Sequence, residues 1–291
     1  MRGLCQFSLS LSEISVLNWI PKGHTFVVLE SYFDGGNKAD SVENDVLTLA
    51  VISGNVNQLR RFERAWKKNL VRHRCDYIHT TDLVSLQNYF DRDKGWNESK
   101  RDALLLDCVK IAGKHFARPI TQNDPTGRLG LFPHTITVDL KAFVRARSEN
   151  SDVARTADEI CAVQSLDACM EWGSLMETTS FELVFHQGEP FYGHVHDRIV
   201  SKRARRDLPF FERIVDHTQS PSCRFPALQL ADLLAWCVNH KEAERPFKWQ
   251  KRLLANPRVE EFAGYPELVK PLAKHVSLTR SWKLPKRALH R

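Results

Sequence analysis

The hydrophobic period of this chain changes at Val56, and that change limits the possible folds more than any other feature. Upstream, residues 24–34 read HTFVVLESYFD and residues 46–53 read VLTLAVIS. Both are rich in aromatic and β-branched residues, which suit strands, and a short polar loop lets them pair as an antiparallel hairpin. Gly35 and Gly36 are expected to stop the first strand. Downstream, Val56, Leu59, Phe62, Trp66 and Leu70 recur at three and four residues, the stripe of an amphipathic helix. Further along, residues 76–79 read as a short third strand, with Thr80, Thr81 and Asp82 able to cap the element after it. Helices are predicted over 97–116, 152–176, 190–205 and 227–240, strands over 134–140 and 181–185, and a loop over 123–127. Strands come first and then alternate with helices, which predicts an α/β domain with a mixed central sheet flanked by helices.

The pattern divides the chain into an irregular extension over 1–22, an α/β domain over 23–244 and a basic tail over 245–291. With 291 residues, 42% of them hydrophobic, there is room for a full core. The longest apolar runs, such as residues 26–29, fall far short of a membrane span, and no signal peptide is expected. Seven scattered cysteines without a CxxC pair argue against a disulfide framework and for buried thiols in a reducing cytoplasm.

Charge is uneven. From Arg245 onward twelve Lys and Arg face three Glu, whereas the preceding 244 residues hold thirty basic against thirty-two acidic side chains. A second basic group comprises Arg198, Lys202, Arg203, Arg205 and Arg206. Basic segments on a near-neutral body suit a polyanion partner, because neutralising phosphates releases counterions. A solvated, solubilising tail is the other reading.

Three carboxylates stand at element ends or in apolar surroundings. Asp34 ends the first strand just before two glycines, where backbone can approach a ligand, although Asp-Gly is also an ordinary turn dipeptide. Glu30 shares its face, but four residues of strand separate the two by roughly 13 Å, too far to share one metal. Asp232 lies in Leu228-Gln229-Leu230-Ala231-Asp232-Leu233-Leu234-Ala235-Trp236, a segment apolar on nearly every side. A carboxylate buried there must be protonated, paired with a cation or bound to a metal, and Gln229 could orient it. Glu189 follows the 181–185 strand in His186-Gln187-Gly188-Glu189-Pro190, either as a helix-start acid or as a ligand at the sheet rim. His194 and His196, two apart on a helix, point in different directions and make a poor zinc pair. There is no Gly-rich phosphate loop, nucleophile elbow or HExxH helix. The remaining hard oxygen ligands suit Mg²⁺ or Mn²⁺.

The order of four segments resembles a bacterial and phage family, domain of unknown function 3800, whose members have ribonuclease H-like folds. The segments are Tyr32-Phe33-Asp34-Gly35-Gly36, His79-Thr80-Thr81-Asp82-Leu83, Phe185-His186-Gln187-Gly188-Glu189-Pro190-Phe191, and Leu228 to Asp232 continuing to Trp236. Two positions depart from the family pattern: Gly35 stands where an acid usually follows the first Asp, and His186 where Asp is expected. The resemblance implies that Asp34, Glu189 and Asp232 converge on Mg²⁺ or Mn²⁺. The implied activity is a nuclease hydrolysing nucleic-acid phosphodiesters, DNA or RNA, in a phage, mobile-element or defence setting. His79 or His186 would relay a proton or touch phosphate. Arg203, Arg205, Arg206 and the tail, including Lys283, Lys286 and Arg287, would hold the strand. The alternative is a module on the same fold that lost its metal site and binds nucleic acid or a protein partner.

Overall fold

The computed structural model describes residues 28–36, 46–117, 130–149, 156–175, 180–205, 212–241, 246–255 and 260–263. The 1–22 extension, the 123–127 loop, Arg206, Lys283, Lys286 and Arg287 lie outside the described residues.

The chain opens with β1 (Val28–Gly36) and β2 (Val46–Asn55), paired antiparallel with Tyr32 opposite Ile52. Gly35 and Gly36 do not stop β1. They pair with Leu49 and Thr48, because ladder hydrogen bonds need only backbone. The helix α1 (Val56–Arg72) follows at once, and Asn55 and Gln58 form a reciprocal capping box across its first turn. Its predicted stripe of Leu59, Phe62, Trp66 and Leu70 is buried.

Residues 76–79 form no strand. The Ile78 N–H donates to the Gln229 side chain instead of to a ladder, and the short helix α2 (Thr80–Ser85) begins directly after them. No side chain caps α2, contrary to the expectation for Thr80–Asp82. Then come α3 (Glu98–His115), β3 (Phe132–Asp139), α4 (Leu140–Glu149), α5 (Ala157–Leu175), β4 (Ser180–His186) and α6 (Phe191–Arg205). The chain continues through β5 (Ile214–Ser220), α7 (Pro226–Asn239), α8 (Lys248–Leu254) and β6 (Glu260–Ala263).

Six strands make one mixed sheet in the order β5-β4-β1-β2-β3-β6. β4 runs parallel to β1 and β5 parallel to β4, while β2 is antiparallel to both its neighbours. Alternation along the strands feeds two cores. Tyr32, Ala50 and Ile52 pack on one face with α1, α3, α7 and α8, and Phe33, Val51 and Phe185 pack on the other with α5 and α6. The α/β class with a mixed sheet flanked by helices is therefore as predicted.

Three elements carried no readable signal. β5 is an edge strand with only Ile214 and Ser220 buried, so it lacks alternation. α8 buries Trp249 and Leu253 in the α7-side core, and β6 pairs with β3. The packed body thus runs past residue 244, and the segment from Arg245 is not wholly a tail.

α7 explains why Asp232 is buried. Pro226 occupies its first turn, and all residues from Pro226 to Ala235 are buried, so the helix lies between the sheet and α1.

Candidate metal centre

Asp34 sits near the C-terminal end of β1, one residue after Phe33, and Phe33 pairs with Phe185 of β4, the residue before His186. The alternation that sends Phe33 to one face sends Asp34 and His186 to the other, the face covered by α7. Parallel pairing brings both side chains to the same end of the sheet. A tight turn comes next, in which the Gln187 N–H donates to the Ser220 carbonyl at 3.0 Å and Gly188 takes a φ of +89°. That left-handed position suits glycine and turns the chain so that Glu189 comes back over the strand end.

The outcome is a three-residue group. One ligand atom each from Asp34, His186 and Glu189 lie within 4.8 Å of one another. His186 Nδ1 is 3.3 Å from Asp34 Oδ1 and 3.8 Å from Glu189 Oε1. Asp34 is 3% exposed, and its Oδ2 has no hydrogen-bond partner among the described residues. His186 Nδ1 likewise makes charge contacts without an aligned hydrogen bond. A buried carboxylate oxygen without a donor is a ready ligand for a hard cation, and an oxygen, oxygen, nitrogen set suits Mg²⁺ poorly but Mn²⁺ well. The residues present therefore fit a divalent cation.

Burial and mutual contact set the protonation of the group. Burial pushes the Asp34 carboxyl up to about 8; His186 opposes this, while Asp232 and Glu189 add to it. Contacts with Asp34 and Glu189 raise His186 to about 10. The pair holds on to a proton through neutral pH, because burial disfavours the aspartate charge and two carboxylates favour the imidazolium.

Asp232 faces this group from α7 but is not one of the three. Its Oδ2 accepts the Thr80 N–H at 2.6 Å. Burial raises its pKa, opposed chiefly by nearby His79. Asp232 is near enough to Asp34 and His186 to act on both electrostatically. Gln229 does not orient Asp232 directly. It accepts from Trp66 Nε1 at 3.0 Å and from the Ile78 N–H at 3.1 Å, and it donates to the Ser222 carbonyl at 3.3 Å. It thereby fixes the segment whose next residues include Thr80, the donor to Asp232. Sequence reading missed Thr80; its only signal was its place in His79-Thr80-Thr81-Asp82.

His79 is half-exposed, with Nδ1 3.1 Å from Asp82 Oδ2, and near enough to Asp232 to act on it electrostatically. Glu30 belongs elsewhere, accepting the Tyr32 hydroxyl at 2.6 Å. His194 and His196 separate as their spacing requires: His194 approaches Thr156, and His196 meets His217 at 2.9 Å. Arg203 and Arg205 belong to the last turn of α6. Among the described residues six cysteines are free, five of them buried, so thiols contribute no ligand here. No helix among the described residues is long and apolar enough to cross a membrane. In comparisons with known proteins, no protein-family model, no curated protein and no solved structure matches the chain.

Proposed function

We propose that this protein is a divalent-metal-dependent nuclease with a ribonuclease H-like fold, akin to the domain of unknown function 3800 family. The observation that carries the reading is the meeting of Asp34, His186 and Glu189 within 4.8 Å at the C-terminal ends of two parallel neighbouring strands. Asp232 on the closing helix is near enough to act on Asp34 electrostatically, which supports the reading although Asp232 is not one of the three. Asp34 and Glu189 would hold the cation, with His186 as a nitrogen ligand once its proton leaves and Asp232 near enough to act on Asp34 electrostatically. A cation there supplies an activated water and offsets negative charge on a phosphodiester. Among the protein's own groups, Asp34 keeps a buried oxygen without a hydrogen-bond partner. The Thr80 N–H holds Asp232 in one orientation, and half-exposed His79 is positioned to exchange a proton with solvent or substrate. Nucleic acid, DNA or RNA, is the substrate class, in keeping with the basic segments at Arg203, Arg205, Arg206 and beyond Arg245.

One observation favours a second reading, a module that binds nucleic acid or protein without cutting. The His186 imidazolium lies against both carboxylates and can serve as a built-in counter-ion in the position of a metal. The two readings separate in a cleavage assay on labelled single- and double-stranded DNA and RNA with Mg²⁺, Mn²⁺ or EDTA. The nuclease reading expects cutting that EDTA abolishes and that Asp34→Asn and Asp232→Asn each reduce by about ten- to a hundredfold, the scale at which removal of a metal-supporting group acts. No metal-dependent cutting on any substrate by well-folded protein would leave only the second reading.

A further inference from the structure

Among the described elements, the helix α1 carries the largest net positive charge. Its seventeen residues include six Lys and Arg and one Glu. The rest of the first 244 residues hold twenty-four basic against thirty-one acidic side chains. At 3.6 residues per turn, Arg60, Arg61, Arg64, Lys67 and Lys68 fall on one continuous arc, opposite buried Leu59, Phe62, Trp66 and Leu70. All five cations are exposed.

These charges are little neutralised. Lys67 approaches Glu63 at 3.8 Å, but among the described residues Arg60, Arg61, Arg64 and Lys68 form no ion pair. The Nε groups of Arg61 and Arg64 donate to the helix carbonyls of Asn57 and Arg60, at 3.2 and 3.3 Å. Those bonds hold the guanidinium stems along the helix and leave the fork nitrogens for an outside acceptor. Asn57, Arg60, Arg61, Glu63 and Arg64 line an open depression of about 620 Å³ beside the ridge.

We propose that this face of α1 binds the sugar-phosphate backbone of a nucleic acid. Three physical points select that occupant. Arginine forks match phosphate oxygens two at a time, and three of the five cations are arginines. Arg60 to Lys68 rises about 12 Å along the helix. That matches the axial length of three or four phosphates in one strand of a duplex, at about 3.4 Å each. A membrane surface is a poor fit, because the apolar face of α1 is already buried in the core.

The ridge also has a direction. α1 and α7 lie on the same face of the sheet, and the C-terminal end of α1 leads through residues 73–79 to Thr80, the donor to Asp232. Nucleic acid gripped along α1 is thus led toward the candidate metal centre. This destination rests on the nuclease reading, whereas the grip does not.

The test measures binding of labelled duplex DNA and duplex RNA to the full chain in EDTA, across a range of salt. The Arg60→Gln/Arg61→Gln/Arg64→Gln protein is compared with wild type and with the corresponding triple Lys protein. Each phosphate contact contributes a slope of about 0.9 in the logarithm of affinity against salt. The Gln protein is expected to lose about two to three units of slope. Its binding at low salt should weaken about ten- to a hundredfold, with much of both restored in the Lys protein. The arginines are exposed, so all three proteins should show the same urea midpoint. Unchanged slope and affinity in the Gln protein, or no binding of either duplex by wild type at low salt, would overturn the proposal. Arginine-dependent binding without any metal-dependent cutting would sink the nuclease reading and leave this surface standing. If the duplex fails to bind while an acidic protein does, the occupant named here is wrong.

Discussion

Gly35 shows how one residue shapes the candidate centre. A Cβ there would lie 2.3 Å from Phe191 Cε2 and 2.9 Å from Glu189 Oε2. The position next to Asp34 therefore has no room for a side chain, because the Glu189 carboxylate and the Phe191 ring already fill it. The acid that the family resemblance expects after Asp34 is absent from position 35, and a carboxylate from the β4 turn occupies the space instead. Gly35→Ala should cost about 1–3 kcal/mol through overpacking, read from the urea midpoint. A neutral Ala variant would mean that Phe191 gives way freely. His186 is the other departure, and its consequence is charge: an imidazole between Asp34 and Glu189 offers a proton or a nitrogen ligand where an aspartate would offer only oxygen.

At the scale of elements, α7 organises the site through Gln229 rather than through Asp232 alone. Gln229 is 1% exposed and joins α1, the 76–79 segment and the turn before α7 in one hydrogen-bonded node. Gln229→Leu would leave the Trp66 and Ile78 N–H groups buried without acceptors. With a penalty of about 1–3 kcal/mol for each such group, the loss should reach about 2–5 kcal/mol in urea unfolding. A loss below about half a kcal/mol would mean that water or another acceptor replaces the amide. Periodicity made α1 readable beforehand, and its predicted stripe is buried except for half-buried Val56, whereas α7 was readable from its continuous apolar run. β5 was not readable: an edge strand exposed along most of its length carries no alternation for a sequence to display. The 76–79 segment misled for a related reason. Its residues suit a strand, but the Gln229 side chain on α7 takes the Ile78 N–H that a ladder would need.

For the whole molecule, the sheet separates two cores, and acid sensitivity should enter through the one built on β3 and α5. His134 is fully buried on β3, and burial lowers its pKa to about 4 from an ordinary 6.5. The unfolded chain therefore takes up this proton first. The stability contribution of neutral His134 is complete above pH 6.5 and is lost as pH falls toward 4. At about 1.4 kcal/mol per unit, the loss amounts to roughly 3 kcal/mol by pH 4. The difference in unfolding free energy between wild type and His134→Gln should narrow by that amount over the same range. A difference independent of pH would show that His134 is already accessible to protons in the folded state.

The sequence alone determined the α/β class, the main helices and the residues at element ends, because period and strand-end position are local properties of neighbouring side chains. It also marked Asp232 as a carboxylate requiring a partner, since an apolar helix announces its own burial. Which partners meet is not local. Parallel pairing of β1 with β4, more than a hundred residues apart, sets Asp34 beside His186, and a left-handed glycine turns Glu189 back onto both. The arrangement of Asp232 toward Thr80, of Gln229 toward Trp66, and of Trp249 into the core depends on how helices cross the sheet. Those contacts arise from long-range packing of faces against faces, which no stretch of sequence encodes by itself.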